Sequence, residues 1–470
     1  MWSKAAWALA LALTASNAYR AATQSMTTDE AFTFNSYVGA PLAMAIKHYD
    51  ANNHVLNSLL ERASVACLGV SEFSVRLPSV LGGALYLATL VRLCFYVFGE
   101  GWFALLAVAL AGLNPFVLDY LTAARGYGIA LGLMVFAMDR MVRHVAENRP
   151  GVPYGAGVAL GLAVAANLVF AVPAAALGAV LAALLWRERG RRVMGPLVDG
   201  FALPAAVAAC LVLVVPMCRA GAGNYYYGAR TLADMVENVA VESFAPAVVG
   251  GWGYSVAKLL YERLWMAVPI AAVLAAAAGA GSVAVFRAAR RPGPVDACLA
   301  FAGGAVAIAL AALFAARHLF GVLYPLGRTA IYWVPLLALA TLALSARTRL
   351  LRVPAAVVAA LCIVQFLLLY RVTYFNSWLA DAGVKPAVNV VRAREHGARP
   401  VRIVASWQLE PSLNFYRRRY RLDWLEPVTR DGAGAPGDYH VLAEADADVV
   451  RKLGLTVLYR DPLSGTLLAR

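Results

Sequence analysis

Two adjacent carboxylates, Asp29 and Glu30, follow the first apolar stretch of a chain that is otherwise mostly hydrophobic. Carboxylates beside a bilayer are costly unless the protein uses them. Thr27 precedes Glu30 by three residues, a spacing that predicts a capping box at the start of a short helix. Helix capping alone is one interpretation of the pair. Because a helix N-terminus favours an ionised carboxylate, Asp29 is also a candidate general base for an acceptor hydroxyl, with Glu30 supporting it or holding an ion.

Arginine is normally scarce at the outer ends of membrane spans, yet four arginines are expected there: Arg76, Arg125, Arg317 and Arg328. A single one would be explained by a long side chain reaching the headgroups. Here four arginines are expected on the same side of the membrane as the carboxylates, and two of them follow or precede a glycine. This grouping favours a shared anionic ligand. Guanidinium groups suit bidentate phosphate binding, and a lipid-linked phosphate is the anion expected at this depth.

Histidines and aromatic residues supply further candidates for substrate contacts. They are His48 and His54 in the first outer segment, Tyr127, His318 and Tyr324. Asn224 to Tyr227, Trp252 and Tyr254 fit either an interfacial aromatic belt or a surface on which sugars stack. The histidine and carboxylate spacing matches no recognisable ligand set, so no cofactor is predicted, and a divalent metal stays an open alternative.

Composition indicates a polytopic membrane protein. The 470 residues are 61% hydrophobic and 14% charged, with a mean hydropathy of +0.66, whereas a soluble domain carries about 25% charge. The net charge of +14 does not indicate nucleic-acid binding, because the arginines cluster between apolar runs as cytoplasmic loops require. The six cysteines form no CxxC pair, so neither a zinc site nor a disulfide framework is predicted.

Apolar runs long enough to cross a bilayer predict about eleven spans. They lie at 5–22, 78–98, 101–118, 125–142, 152–166, 168–186, 200–218, 262–286, 296–316, 328–345 and 353–372. Every second connection is basic, which predicts a cytoplasmic N-terminus and an extracytoplasmic tail. The first segment has a poor cleavage site and is expected to stay as an anchor.

The tail differs in composition from the rest and predicts a small α/β domain. Val401 to Ala405 and Leu455 to Tyr459 are expected to be strands, with a helix at 443–453 and a turn at 461–465 before a last strand. The predicted division is therefore a membrane domain over 1–372, with a catalytic outer loop at 23–77, and an extracytoplasmic domain over 373–470.

Several motifs, in this order and on this side of the membrane, resemble those of GT-C glycosyltransferases. The resemblance is to the protein O-mannosyltransferases, the aminoarabinose transferases of lipid A and related bacterial family-39 enzymes. The matching segments are Asp29 to Phe32, Asn52 to Leu56, Arg76 to Gly82, Asn114 to Tyr127, and Arg328 with Tyr332 and Pro335. Val55 and Leu56 stand where the family has prolines after a histidine, and the tail matches no donor-site motif.

The resemblance implies a polyprenyl-phosphate sugar as donor and transfer with inversion to a hydroxyl on a lipid, glycan or protein. It implies that Asp29 is the base and that Arg76, Arg125, Arg328 and His54 contact the donor phosphate. Tyr127 lies in a matching segment and would be a substrate contact, whereas Arg317, His318, Tyr324 and His48 lie outside the matching segments and are candidate substrate contacts by residue type and position. Composition rich in alanine, glycine and arginine suggests a bacterial inner membrane.

A transporter or flippase for a lipid-linked or anionic substrate is the main alternative. It predicts ionisable residues in mid-span and paired broken helices, whereas the ionisable groups here lie mostly at span ends. A catalytically inactive relative that assembles envelope components is a third interpretation, against which the presence of both Asp29 and Glu30 argues.

Overall fold

A computed structural model describes residues 1–47, 50–220, 227–244, 262, 267–287 and 292–470. Helices dominate this part of the chain. They are α1 Trp2–Thr23, α2 Thr28–Thr33, α3 Leu42–Lys47, α4 Val55–Leu68, α5 Glu72–Phe98, α6 Trp102–Gly112, α7 Pro115–Tyr120, α8 Tyr127–Ala146, α9 Tyr154–Ala166, α10 Ala171–Arg189, α11 Met194–Leu197, α12 Leu203–Met217, α13 Leu232–Phe244, α14 Ala267–Arg287, α15 Pro294–Phe320, α16 Trp333–Arg347, α17 Arg352–Leu369, α18 Val384–Arg394, α19 Glu410–Arg419 and α20 Asp448–Lys452.

Six helical stretches in the described part of the chain are long and apolar enough to cross a membrane. They are Glu72–Phe98, Leu168–Met217, Val268–Val285, Pro294–Phe320, Gly327–Arg347 and Arg352–Leu369. The helices α6 and α9 are apolar but shorter. The chain is therefore an integral membrane protein, and the predicted count of eleven spans is not confirmed.

Two predicted span boundaries have a clear local cause. The run at 101–118 is divided into α6 and α7, because Asn114 accepts a hydrogen bond from the Val117 amide (3.1 Å) and so caps the helix that Pro115 begins. Asn167 separates α9 from α10 in the same manner, since its side chain accepts from the Val169 amide at 3.2 Å.

The membrane helices pack as neighbours around one apolar core. Helix α5 contacts α1, α4 and α8, while α15 contacts α10, α14 and α16. The core side chains include Leu90, Leu131 and Leu336, all fully buried. This packing brings the start of α5 and the start of α8 to the same end of the bundle as α2.

The tail contains a four-stranded mixed sheet with the strand order β1-β2-β4-β3. Its strands are β1 Ile403–Ala405, β2 Tyr439–Leu442, β3 Val457–Arg460 and β4 Leu467–Ala469. Strand β1 is parallel to β2, and the other two pairs are antiparallel. The predicted strands at 401–405 and 455–459 match β1 and β3. The helix predicted at 443–453 is shorter, because only Asp448–Lys452 is α-helical and a 3-10 turn precedes it.

The tail shares a hydrophobic core with the first outer loop. Met26 and Phe34 from the loop are buried in the same cluster as Leu413 and Phe415 from α19. The rings of Phe34 and Phe415 meet edge to face, with centroids 5.1 Å apart. The tail is therefore built against the segment that carries Asp29 and positions it.

Candidate functional site

Asp29 lies in the first turn of α2, and the predicted capping box is present. The Thr27 hydroxyl accepts a hydrogen bond from the Glu30 amide (3.3 Å), and the Glu30 carboxylate accepts one from the Thr27 amide (2.9 Å). These two bonds satisfy amides that the helix leaves unpaired at its start. They also fix the direction in which Asp29 leaves the helix.

Two guanidinium groups flank the Asp29 carboxylate. Its Oδ2 lies 3.1 Å from Nη1 of Arg328 and 3.7 Å from Nη2 of Arg125. Burial would raise the pKa of Asp29, but the charges of Arg125 and Arg328 and a hydrogen bond from Trp378 outweigh it and hold the pKa below its ordinary value. Asp29 is therefore ionised at neutral pH, as a general base requires.

One oxygen of Asp29 keeps a free lone pair. Within the described residues, Oδ2 has the two ion-pair contacts but accepts no hydrogen bond. The Asp29 side chain as a whole is 21% exposed, although Oδ2 itself is shielded from solvent. An ionised carboxylate that is partly exposed can receive a proton from a hydroxyl group placed beside it.

Glu30, in contrast, has no capacity left for a ligand. Its two oxygens accept four hydrogen bonds: from Arg76 Nε (2.8 Å) and Nη2 (2.6 Å), from the Ala124 amide (2.7 Å) and from the Thr27 amide. Burial would raise the pKa of Glu30, but the Arg76 charge and these bonds keep it below the ordinary value. Glu30 therefore links α2 to α5 and to the segment before α8.

The structure brings Arg76 to Glu30 and leaves it no free donor for a phosphate. Besides the Glu30 carboxylate, its guanidinium donates to the carbonyls of Gln24 (2.9 Å) and Ser25 (2.7 Å), with a longer contact to Ala21 (3.4 Å). The side chain is fully buried. Arg76 was expected to contact the donor phosphate. In the structure it instead anchors the chain between α1 and α2.

Arg125 is held beside Asp29 by a glycine that follows it. Gly126 has φ +72°, a left-handed conformation, and an added Cβ would overlap the carbonyl oxygen of Ala166 and approach His54. Arg125 Nη2 donates to Asn52 Oδ1 at 2.8 Å, while its buried Nε has no partner in the described residues. The guanidinium thus keeps one unused donor close to Asp29.

Arg328 is also placed by a neighbouring glycine. Gly327 has φ +54°, and an added Cβ would lie 3.0 Å from the Tyr227 hydroxyl. The Arg328 guanidinium carbon lies 5.5 Å from the centre of the Tyr227 ring, and its side chain is 29% exposed. The segment that carries Tyr227 is held by backbone bonds between Ala229 and Tyr324 of 2.8 and 2.9 Å. Tyr324 therefore supports the site through its backbone.

The predicted residues His54 and Tyr127 line the same region. Their rings meet edge to face with centroids 5.6 Å apart. Burial first, and then the charges of Arg125 and Arg328, hold the pKa of His54 well below its ordinary value. His54 is therefore neutral at neutral pH, and it lacks the positive charge expected of a phosphate contact. Its Nε2 is buried and has no partner among the described residues.

Positive charge exceeds negative charge around Asp29. The Asp29 carboxylate is ion-paired with both Arg125 and Arg328, so these three groups together carry a net positive charge. The side chain of His54 contributes no charge. One carboxylate between two guanidinium groups leaves a net charge that attracts an anion.

The structure does not bring Arg317 and His318 to Asp29. Both lie in the last turn of α15, where Arg317 donates to the Gly321 carbonyl (3.0 Å) and His318 Nδ1 contacts the Phe314 carbonyl (2.8 Å). The unpaired carbonyls at a helix C-terminus attract such side chains. His48, Trp252 and Tyr254, together with Asn224 to Tyr226, lie outside the described residues.

Trp378 is a site residue that sequence reasoning missed. It lies in the 3-10 segment Asn376–Gly383, where its backbone departs from helical geometry (φ −135°, ψ 41°). Its side chain hydrogen-bonds Asp29, and its ring lies 5.3 Å from that of Tyr120. A single tryptophan after the last predicted span carries no signal that would have assigned it.

The described residues contain no group of three or more His, Cys, Asp or Glu side chains that could hold a metal ion. The candidate site therefore consists of Asp29, two arginines, a neutral histidine and an aromatic wall.

Comparison with known proteins gives matches to solved structures only. No protein-family model and no curated protein matches the chain. ArnT from Cupriavidus metallidurans bound to undecaprenyl phosphate aligns over 100% of this chain and 98% of its own, with 15% identity and a TM-score of 0.46. Its apo state aligns over 98% and 97%, with 15% identity and a TM-score of 0.43.

Arabinosyltransferase EmbB from Mycobacterium smegmatis aligns over 81% of this chain and 42% of its own, with 12% identity and a TM-score of 0.34. ArnT is an aminoarabinose transferase, one of the groups that the sequence motifs resemble.

Proposed function

We propose that this chain is a membrane glycosyltransferase of GT-C type. It would transfer a sugar from a polyprenyl-phosphate donor to a hydroxyl group on an envelope lipid, glycan or protein. The observation that supports this most is the position of ionised Asp29 between Arg125 and Arg328. The place of action would be the extracytoplasmic face of a bacterial inner membrane, with the N-terminus in the cytoplasm.

The proposed reaction is a single displacement with inversion. The acceptor oxygen forms a bond to the anomeric carbon while the bond from that carbon to the phosphate oxygen breaks. The hydroxyl proton passes to the Asp29 carboxylate, and polyprenyl phosphate departs with the bonding electrons. General-base catalysis of this kind contributes about 100- to 10,000-fold.

Arg125 and Arg328 would stabilise the departing phosphate. Its negative charge grows as the bond breaks, so preorganised cations lower the barrier more than they strengthen donor binding. Arg328 is the more exposed of the two, and Arg125 has an unused Nε. Each arginine can therefore direct some of its guanidinium N–H groups toward a phosphate while staying near Asp29.

Replacing Asp29 by Asn tests the assignment of the base. The amide keeps the shape but cannot take a proton, so we expect transfer to fall by at least about 100-fold. The purified variant should still bind the polyprenyl-phosphate sugar, measured with radiolabelled donor. Asp448→Asn, at an exposed carboxylate in the tail, is the matched control and should transfer normally.

Normal turnover by Asp29→Asn would refute the base. The same radiolabelled donor separates an enzyme from a carrier, because only an enzyme releases free polyprenyl phosphate. If the wild-type protein leaves the donor intact in the presence of acceptor extracts, a transporter or flippase becomes the better explanation.

A further inference from the structure

A polar cavity lies at the far end of α8 from Asp29. Helix α8 begins beside Arg125 and runs for 20 residues, which places its other end about 30 Å away. The cavity has a volume of about 360 Å³ and lies between the end of α8 and the start of α9. Its lining includes Arg140, His144, Arg149 and Tyr154. It is separate from the proposed catalytic site by most of the membrane thickness.

The turn over this cavity is held in place by side chains. Arg189 from α10 donates to the carbonyls of Gly151 (2.5 Å) and Arg149 (2.7 Å). His144 Nε2 also contacts the Gly151 carbonyl at 3.1 Å. Side chains from two helices, α8 and α10, therefore hold the wall of the cavity. The carbonyl oxygens of Gly151 and Arg149, which would repel an anion, are already occupied.

The carboxylates nearby are paired with other arginines. Asp139 accepts from Arg143 Nε at 2.8 Å, and Glu147 accepts from Arg149 Nε at 2.7 Å. Arg140, by contrast, has neither a hydrogen bond nor an ion pair with any residue that the structure describes. Its guanidinium is half-buried and lines the cavity one helical turn from His144.

We propose that this cavity binds the phosphate group of an anionic phospholipid. The unpaired, half-buried Arg140 lies near Arg149, which is ion-paired with Glu147. An unpaired guanidinium suits a phosphate, which accepts charge-assisted hydrogen bonds from it. Basic pockets between helices at a membrane surface are sites where such headgroups bind. Tyr154 is 60% exposed at the rim, where an aromatic ring would lie at headgroup level. The proposal is independent of the catalytic activity.

Native mass spectrometry of the delipidated full-length protein with added cardiolipin tests this site. We expect the wild type to retain cardiolipin in preference to zwitterionic phosphatidylethanolamine, and Arg140→Gln to retain about tenfold less. Arg192→Gln is the matched control, because Arg192 is exposed on the same basic face and does not line the cavity. It should retain cardiolipin like the wild type.

Cardiolipin retention by Arg140→Gln at the wild-type level would overturn the proposal. Arg140→Lys covers the case in which the glutamine variant fails to fold. Lysine keeps the positive charge but lacks the planar guanidinium group, so we expect intermediate retention of cardiolipin. Unchanged retention would also count against the site. A second arm titrates inorganic phosphate against thermal unfolding. Stabilisation by phosphate that needs Arg140, without any lipid retention, would contradict a phospholipid as the ligand.

Discussion

Asp29 and Glu30 are neighbours in sequence, yet the fold gives them opposite roles. Glu30 is fully buried and satisfied by Arg76, while Asp29 is part-exposed and keeps a free oxygen between Arg125 and Arg328. Consecutive side chains on a helix point about 100° apart, so Glu30 points into the protein and Asp29 points toward Arg125 and Arg328. The buried, paired Glu30 carboxylate holds neighbouring elements together, and the part-exposed Asp29 carboxylate is the proposed general base.

Changes at Arg328 should reveal how its charge and its shape contribute. We expect Arg328→Gln to lower transfer by about 100- to 1,000-fold, because the departing phosphate loses a preorganised cation. Arg328→Lys keeps the charge without the fork and should fall between this variant and the wild type. Steady-state transfer by purified protein measures this. Arg317→Gln, at an arginine bound to its own helix end, should stay active, and equal losses at both positions would contradict the assignment.

Glu30→Gln should damage folding rather than chemistry. It leaves Arg76 as a buried unpaired charge, and breaking such a pair costs about 3–5 kcal/mol. The expected result is a lower thermal unfolding temperature in detergent and less protein in the membrane. Glu444→Gln, at an exposed carboxylate, is the control. A Glu30→Gln protein of normal stability but without activity would instead assign Glu30 to the reaction.

The sequence predicted Asp29 and the arginines as a group but not their pairing. Four arginines at span ends are equivalent in sequence, and only the fold decides which lies near which carboxylate. Arg76 precedes the predicted span by two residues, so it was expected at the donor phosphate. The helix begins at Glu72, one turn earlier, and this places Arg76 inside the protein.

Among the elements, the start of α8 depends on a left-handed turn. Gly126→Ala must adopt φ +72°, which costs about 1–2 kcal/mol, and its methyl group would overlap the Ala166 carbonyl. We therefore expect Arg125 to shift and both stability and transfer to fall. Gly155→Ala in α9 is the matched control, since nothing lies within 4 Å of the added methyl. Full activity of Gly126→Ala would show that this turn does not position Arg125.

Apolar runs predicted the positions of most helices, because length and hydropathy are local properties. They predicted the division at Asn167, between the runs at 152–166 and 168–186, but not the one at Asn114, where a side-chain cap starts a new helix inside the run at 101–118. Strand β2 at Tyr439–Leu442 was also missed. Its four residues are all buried, and they lack the alternation that marks a half-exposed strand.

On the scale of the whole molecule, a buried acid in the tail is hydrogen-bonded to the first outer loop, which carries Asp29. Asp381 accepts from the Thr28 amide (2.8 Å), and its other oxygen lies 2.6 Å from the Thr28 hydroxyl. That hydroxyl can in turn donate to the Gln408 carbonyl (2.7 Å), so a protonated Asp381 would complete the chain of hydrogen bonds. Burial raises the pKa of Asp381 to about 7.

Stability should therefore depend on pH through Asp381. The unfolded chain releases this proton near pH 3.8, and the folded protein keeps it to about pH 7. Because the folded state binds more protons in this window, the free energy of unfolding falls as pH rises from about 4 to about 7. Asp381→Asn mimics the protonated acid, so its thermal unfolding temperature should change less over this window than that of the wild type. An identical pH dependence in both proteins would contradict this role.

The contact between tail and loop could not be predicted from the sequence. The strands of the tail have local signals, but Met26 and Phe34 meet Leu413 and Phe415 across more than 370 positions of chain. Glu72 at the start of α5 is likewise paired with Lys385 at 2.9 Å and with Arg419. Such pairs form only when the tail folds back onto the rest of the protein. The segment that leads into the tail also places Trp378 beside Asp29.

The proposed reaction requires a phosphate held beside Asp29 by two arginines. A cryo-electron microscopy structure of the purified protein with polyprenyl-phosphate sugar tests this most directly. We expect the donor phosphate within hydrogen-bonding distance of Arg125 and Arg328, with the anomeric carbon between that phosphate and Asp29. A donor bound elsewhere, with both guanidinium groups still paired only to protein, would contradict the proposed reaction.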